Sequence, residues 1–300
     1  YYLYLDVVPF DNSLIRLGRQ YVNFSPGSSL IDGVTFSVNK LGPIGITAAA
    51  GRNIVYSLNA EYSRSGNYFA GVDVHLDGVK NLQLGTSFAM KWDESDRARE
   101  EIGMNFRYVY KSVSPYAEVR YDILSKTVDL MTLGLDVYPL KDLTVKAEFY
   151  QTYPIFDSTS IYSVFAVDRY NEYLIRADYS LSAPVTVFAS YVHQTYQENS
   201  NTDNYIIGAR FYPLDKLTVS AAVEYRNGFG GNLWGFEVTG DYKIDKKILL
   251  SAGAQYNSYR RPDFTDENSN AAQRYWIGAQ YLINKNLSAI ARIEDNINEN

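Results

Sequence analysis

The segment L133-G-L-D-V-Y-P-L-K-D-L-T-V-K-A-E-F-Y150 reads as two β-strands joined by a tight turn. It recurs as I207-G-A-R-F-Y-P-L-D-K-L-T-V-S-A-A-V-E-Y225. A fainter copy runs I277-G-A-Q-Y-L-I-N-K-N-L-S-A-I-A291. Each half alternates apolar and polar residues with the period of two that a strand imposes, because successive side chains point to opposite faces. Tyr138, Tyr212 and Tyr281 stand at the three turns.

The same alternation extends over nearly the whole chain. Tyr68, Ala70, Val72, Val74 and Leu76 oppose Gly71, Asp73 and His75. Ile102, Met104, Phe106, Tyr108 and Tyr110 oppose Asn105, Arg107 and Lys111. Val219, Ala221, Val223 and Tyr225 oppose Ser220, Glu224 and Arg226. Read this way, the chain holds about 20 strands, within a range of roughly 18–22. They include 31–41, 54–64 and 159–169, while 93–99, 197–202, 227–231 and 260–271 read as polar loops. The nine prolines fall at turns or strand starts, where a missing N–H donor is tolerated.

Many strands reach 10–13 residues, enough for a tilted crossing of a hydrocarbon layer. Closure removes the exposed edges that a long open sheet would carry. The expected fold is therefore all-β: one domain over residues 1–300, a closed up-and-down antiparallel transmembrane β-barrel. A soluble all-β structural or binding protein is the alternative. No run approaches 18 apolar residues, so no helical span is expected. A mean hydropathy of −0.26 suits a wall that is apolar on one face only. The chain opens directly on strand-like residues and carries no signal segment, and both ends read as trimmed.

The polar parity supplies the candidate pore-wall residues: Arg16, Glu61, Asp73, Arg107, Glu118, Arg120, Lys146, Arg176, Asp178, Arg210, Glu224, Arg226 and Glu237. Their signs are mixed, so no one-signed ladder is legible, and the net charge of −6 points only to a slight cation preference. The apolar parity ends in tyrosines. Tyr62, Tyr138, Tyr179, Tyr212, Tyr225, Tyr256 and Tyr281 are the candidates for an aromatic girdle at the lipid–water boundary.

Three pieces, L14-I-R-L-G-R-Q-Y21, S29-L-I-D-G-V-T-F-S37 and G45-I-T-A-A-A-G51, resemble Gram-negative outer-membrane porin-like barrels. There an R-x-G-R-Q strand is followed by an L-D-G-V strand and a strand ending in glycine; here Ile31 replaces the leucine. The resemblance implies an integral outer-membrane location, lipid contact and passive diffusion of small hydrophilic solutes or ions. It nominates Arg16 and Arg19 for the wall, but parity keeps only Arg16 there, because Arg19 shares a face with Leu17 and Tyr21. Arg16 and Asp32 could also simply pair across neighbouring strands.

No connection looks long enough to narrow so wide a barrel; the longest, 260–271, has about a dozen residues. That leaves room for a lumen-filling partner, as in porin–cytochrome electron conduits, where the barrel sleeves a multihaem cytochrome. Small wall residues such as Gly71, Gly103, Gly208, Gly253 and Gly278 suit such a sleeve. The chain itself has no Cys and only His75 and His193, so it offers no covalent haem attachment and no thiolate site. Enzyme chemistry, cofactors and metals are not expected: neither histidine stands in a Ser/Asp constellation, and no phosphate loop or zinc spacing appears. The acidic balance also argues against nucleic acid.

Overall fold

A computed structural model describes the chain except for residues 1, 57–60, 63–65, 77, 154–168, 197–199, 230, 261–269, 285–286 and 299–300. Strands account for the secondary structure of the described residues, in the order β1 Leu3–Val7, β2 Ser13–Phe24, β3 Gly27–Leu41, β4 Ile44–Asn53, β5 Val55–Tyr56, β6 Glu61–Tyr62, β7 Tyr68–Leu76, β8 Leu82–Asp93, β9 Asp96–Tyr108 and β10 Val113–Asp122. Then follow β11 Thr127–Leu140, β12 Leu143–Thr152, β13 Tyr170–Ser182, β14 Val185–Thr195, β15 Asn201–Leu214, β16 Leu217–Gly228, β17 Asn232–Lys243, β18 Ile248–Arg260, β19 Asn270–Asn284 and β20 Leu287–Asn298. Eighteen of them form one antiparallel sheet, and β5 and β6 pair separately.

The chain divides into two compact units, Tyr1–Leu135 with Glu148–Asn171, and Asp136–Ala147 with Glu172–Asn300. In the first, each sheet strand from β1 to β10 pairs with the next along the chain, β4 passing directly to β7. The second repeats this meander from β14 to β20. Short connections alone allow this: antiparallel neighbours need only a tight turn.

Register converts the alternation into two chemically distinct faces. Across the second unit, Val187, Ala209, Ala221, Val238 and Ala254 lie side by side, and so do Ala189, Ile207, Val223, Phe236 and Tyr256. Ile207 stays 68% exposed and Ile175 57%. A wall of large apolar side chains left open on one face is what a bilayer covers and water does not. The opposite face carries Arg210, Ser220, Thr239 and Gly253 in one row and Asn204 and Arg226 in another.

Three local expectations are corrected. Residues 54–64 do not form one long strand; the described parts are the short pair β5 and β6. The segment 93–99 is not a loop: β8 and β9 join through residues 94–95 alone. Glu94 and Ser95 take positive φ (50° and 78°), and the register then shifts between Lys91 and Trp92. This bulge sends Arg97 and Arg99 to opposite faces and absorbs the polar run into the strand. Third, β3 begins at Gly27 rather than at 31. The expected strand 159–169, except residue 169, and most of the loop 260–271 lie outside the described residues.

At the β17–β18 turn, Asp245 Oδ1 accepts the N–H groups of Lys247 (2.7 Å) and Ile248 (2.9 Å). These bonds hold its carboxyl below its ordinary 3.8. A depressed carboxyl supports the turn above its ordinary pKa and loses that support as pH falls through the folded value. Asp245→Ala is expected to speed amide exchange at Lys247 and Ile248 at neutral pH. At a pH below the depressed value the two proteins should exchange alike.

Candidate functional site: a hairpin seated on the polar face

The β2–β3 hairpin is the feature that sequence reading missed. Its tip is only Ser25-Pro26, between Phe24 and Gly27, a pairing that suits turn formation. Beyond Gln20 and Ile31, β3 has no partner in β4, whose last register partner is Asn53. The hairpin's end instead folds over the polar face of β4, β7, β8 and β9.

Several contacts fix it there. Phe24 stacks on Phe69, with centroids 6.0 Å apart and planes 13° from parallel. Val22, Phe24, Ile31, Ala49, Phe69 and Ala89 make a dry cluster; Phe24 keeps 6% exposure, Phe69 1% and Ile31 none. Burial of a large apolar side chain from water contributes about 1.5–3 kcal/mol. On a polar, hydrated face that gain is available only beneath a cover, and the hairpin is that cover. Ser25 N–H donates to Ser87 Oγ (3.3 Å), and Ser87 Oγ donates to Asp73 Oδ2 (2.7 Å).

The floor is made of small residues. A Cβ on Gly71 would stand 2.7 Å from the Phe24 ring, and one on Gly103 2.7 Å from Pro26. The bend itself follows a row of three glycines, Gly18, Gly33 and Gly51, in register on adjacent strands. Gly18 has φ +123°, and a Cβ on Gly33 would meet Ala50 O at 2.2 Å. Above this row Gln20, 2% exposed, donates to Arg16 O (3.1 Å) and accepts from Thr35 Oγ1 (2.8 Å). Ser29 Oγ donates to Asn53 Oδ1 (2.6 Å), tying the hairpin's base to the end of β4.

Between hairpin and wall lies a cavity of about 390 Å³ lined by Asn23, Phe24, Ser25, Thr47, Asp73, Asn105 and Glu118. Its charged members are both carboxylates. Asp73 also receives His75 Nδ1 at 2.7 Å. A smaller recess of about 180 Å³ flanks it beside Arg16, Gln20 and Thr35. Under the hairpin, Glu101 is 2% exposed and pairs with Arg99 at 2.9 Å. A Cβ on Gly27 would lie 3.5 Å from Glu101 Oε2. Ala89 and Asp122 are its register partners in β8 and β10.

The register puts Asp73, Arg107, Glu118 and Arg120 on the polar face of the first unit. Arg16 joins them and makes a bidentate pair with Asp6 (2.8 and 2.9 Å). It does not meet Asp32, because Arg19 stands opposite Asp32 and takes both carboxylate oxygens at 2.8 Å. In the second unit, Arg210, Glu224, Arg226 and Glu237 share the polar face. Arg176 pairs with Asp178 at 2.7 Å and lies over Phe188, which Arg210 flanks from another strand. Lys146 shares the parity of Glu148, whose carboxylate accepts from Tyr116 Oη. The side chains of Glu61 and Tyr62 lie outside the described residues.

Among the girdle candidates, Tyr225, Tyr256 and Tyr281 lie on the apolar face, and Tyr179 is 40% exposed in step with Tyr173 and Ile175. Tyr138 is 47% exposed, and Tyr212 falls in the register irregularity between Phe211 and Leu214. The clearest aromatic row joins the candidate Tyr225 to three residues that alternation alone did not single out, Tyr191, Tyr205 and Trp234. Tyr191 and Tyr205 approach to 4.9 Å, and Tyr205 and Tyr225 to 6.4 Å. Among the described residues no group of His, Cys, Asp and Glu is arranged to hold a metal.

No protein-family model matches the chain, and no curated protein does. Solved structures do. Acinetobacter baumannii OccAB2 aligns over 96% of this chain and 93% of its own, at 11% identity and a TM-score of 0.59. Pseudomonas aeruginosa OccD3 (OpdP) aligns over 91% and 83%, at 10% identity and a TM-score of 0.54. A loop-deleted OmpT, an outer membrane protein of Vibrio cholerae, aligns over 85% and 93%, at 11% identity and a TM-score of 0.47. At these identities the likeness is one of fold alone: a many-stranded antiparallel architecture shared with OccAB2 and OccD3.

Proposed function

We propose that this chain closes as an integral outer-membrane barrel and acts as a passive, non-enzymatic channel for small hydrophilic solutes or ions. The observation that carries this reading is the β2–β3 hairpin seated on the polar face through Phe24, Phe69 and Ser25. A wide barrel needs a constriction to discriminate among solutes. Here the chain supplies one from its own strands, and the apolar face supplies the lipid contact. The hairpin also takes up space on the face where a multihaem cytochrome would have to pack, which counts against the sleeve reading.

Asp73 and Glu118 beside the tip give the constriction negative charge, with amides of Asn23 and Asn105 completing its lining. Purified chain in a planar bilayer, with no partner added, should therefore show ohmic currents. Its reversal potential under a salt gradient should favour cations. Silence in the bilayer combined with co-purification of a haem protein would overturn the channel in favour of the sleeve. A reversal potential favouring anions would remove the role given to the two carboxylates.

A further inference from the structure

One row of the apolar face is not apolar. Where β2, β3, β4, β7, β8 and β9 approach the connections 25–26 and 94–95, the register aligns Arg19, Asp32, Arg52, Tyr68, Trp92 and Arg97. The next row toward mid-strand is Leu17, Val34, Ala50, Ala70, Met90 and Glu100. Arginines on a lipid-facing wall are costly at mid-membrane and cheap at its boundary, where headgroups can answer the charge. Tyr68 and Trp92 in the same row have the amphipathic rings that favour that boundary.

The charges in this row do not cancel. Arg19 occupies both oxygens of Asp32 (2.8 Å each). Arg97 pairs with Glu100 at 3.0 Å but keeps 60% of its side chain exposed, so this pair is readily exchanged. Arg52 is exposed and stands opposite Asp32, whose charge it feels, but both carboxylate oxygens are taken by Arg19 and no hydrogen bond ties Arg52 among the described residues. Against Asp32 and Glu100, the three arginines leave one positive charge in excess at this edge of an otherwise apolar face. Guanidinium is planar and pairs phosphate through two parallel N–H bonds.

We propose that Arg52, with Arg97 exchanging from Glu100, binds the phosphate of an anionic lipid headgroup in the leaflet beside this end of the first unit. Tyr68 and Trp92 lie between the two arginines and pack against the lipid's glycerol or sugar region. The inference rests on the membrane location proposed above but not on the pore being open.

Native mass spectrometry of the detergent-solubilised full chain tests it, with phosphatidic acid, the uncharged diacylglycerol and inorganic phosphate as probes. Phosphatidic acid should be retained and diacylglycerol should not. The Arg52→Gln/Arg97→Gln pair should weaken retention at least fivefold, while Arg52→Lys, which keeps the charge and loses the fork, should fall between. Equal retention by the double variant and the wild type would overturn the site. Competition by inorganic phosphate at the lipid's own concentration would overturn the assignment to a lipid. Should the double variant not fold, the single Arg52→Gln carries the same comparison. A silent bilayer recording with lipid retention intact would defeat the channel and leave this site standing.

Discussion

Phe24→Ala should widen the proposed channel. The ring is 94% withdrawn from solvent, stacked on Phe69 above the Gly71 floor, and nothing else of its size holds the hairpin tip to the wall. Replacing a buried phenylalanine by alanine costs about 3 kcal/mol. That shifts the ratio of seated to unseated hairpin by roughly a hundredfold, since each 1.4 kcal/mol is a factor of ten. Of the tip's other contacts, Pro26 packs on the Gly103 floor, and the 3.3 Å bond from Ser25 N–H to Ser87 Oγ is worth about 1 kcal/mol. Single-channel recordings should show a second, larger conductance level, visited often or permanently, and weaker discrimination between cations and anions. Bulk stability should change little, because the eighteen-stranded sheet does not depend on the tip. Unchanged conductance in a folded Phe24→Ala protein would remove the hairpin from the permeation path.

Gly33→Val is expected to damage the fold itself. A Cβ at position 33 would stand 2.2 Å from Ala50 O and 2.5 Å from Gly51 Cα, so its neighbours are backbone and cannot swing away. Forcing extra volume into a tight site costs about 1–3 kcal/mol, and a clash with backbone lies at or beyond the upper end. The variant should reach the heat-modifiable folded form in poor yield and unfold at lower urea concentration. Gly278→Ala is the matched control, because the nearest atoms to its added carbon lie at 3.5 and 4.0 Å. If Gly33→Val and Gly278→Ala unfold together, the glycine row is not what allows the hairpin to bend.

The two faces were legible without coordinates. Alternation is a property of the strand backbone alone, so Arg107, Glu118, Arg210 and Glu224 could be assigned to one face by counting. The hairpin could have been suspected from one irregularity. Val22 and Phe24 carry the parity of Arg16, Gly18 and Gln20, and so place apolar bulk on a polar face just before Ser25-Pro26-Gly27. Reading loop length as the only source of a constriction hid this, since the hairpin narrows the face with strand residues and a two-residue turn. The loop assigned to 93–99 failed for a related reason. Its charges were read as solvent exposure, whereas a bulge distributes them between two faces, one of them buried beneath the hairpin.

What the amino-acid sequence determined by itself was local: strand period, face chemistry and the tight turns, all set within a few residues by backbone geometry. Only the tertiary structure decided the partners. Arg19 rather than Arg16 meets Asp32, because register depends on how neighbouring strands slide, not on either strand alone. Phe24 meets Phe69, and Ser25 meets Ser87 from 62 residues away, because the glycine row lets the hairpin leave the sheet and a dry cluster rewards its landing.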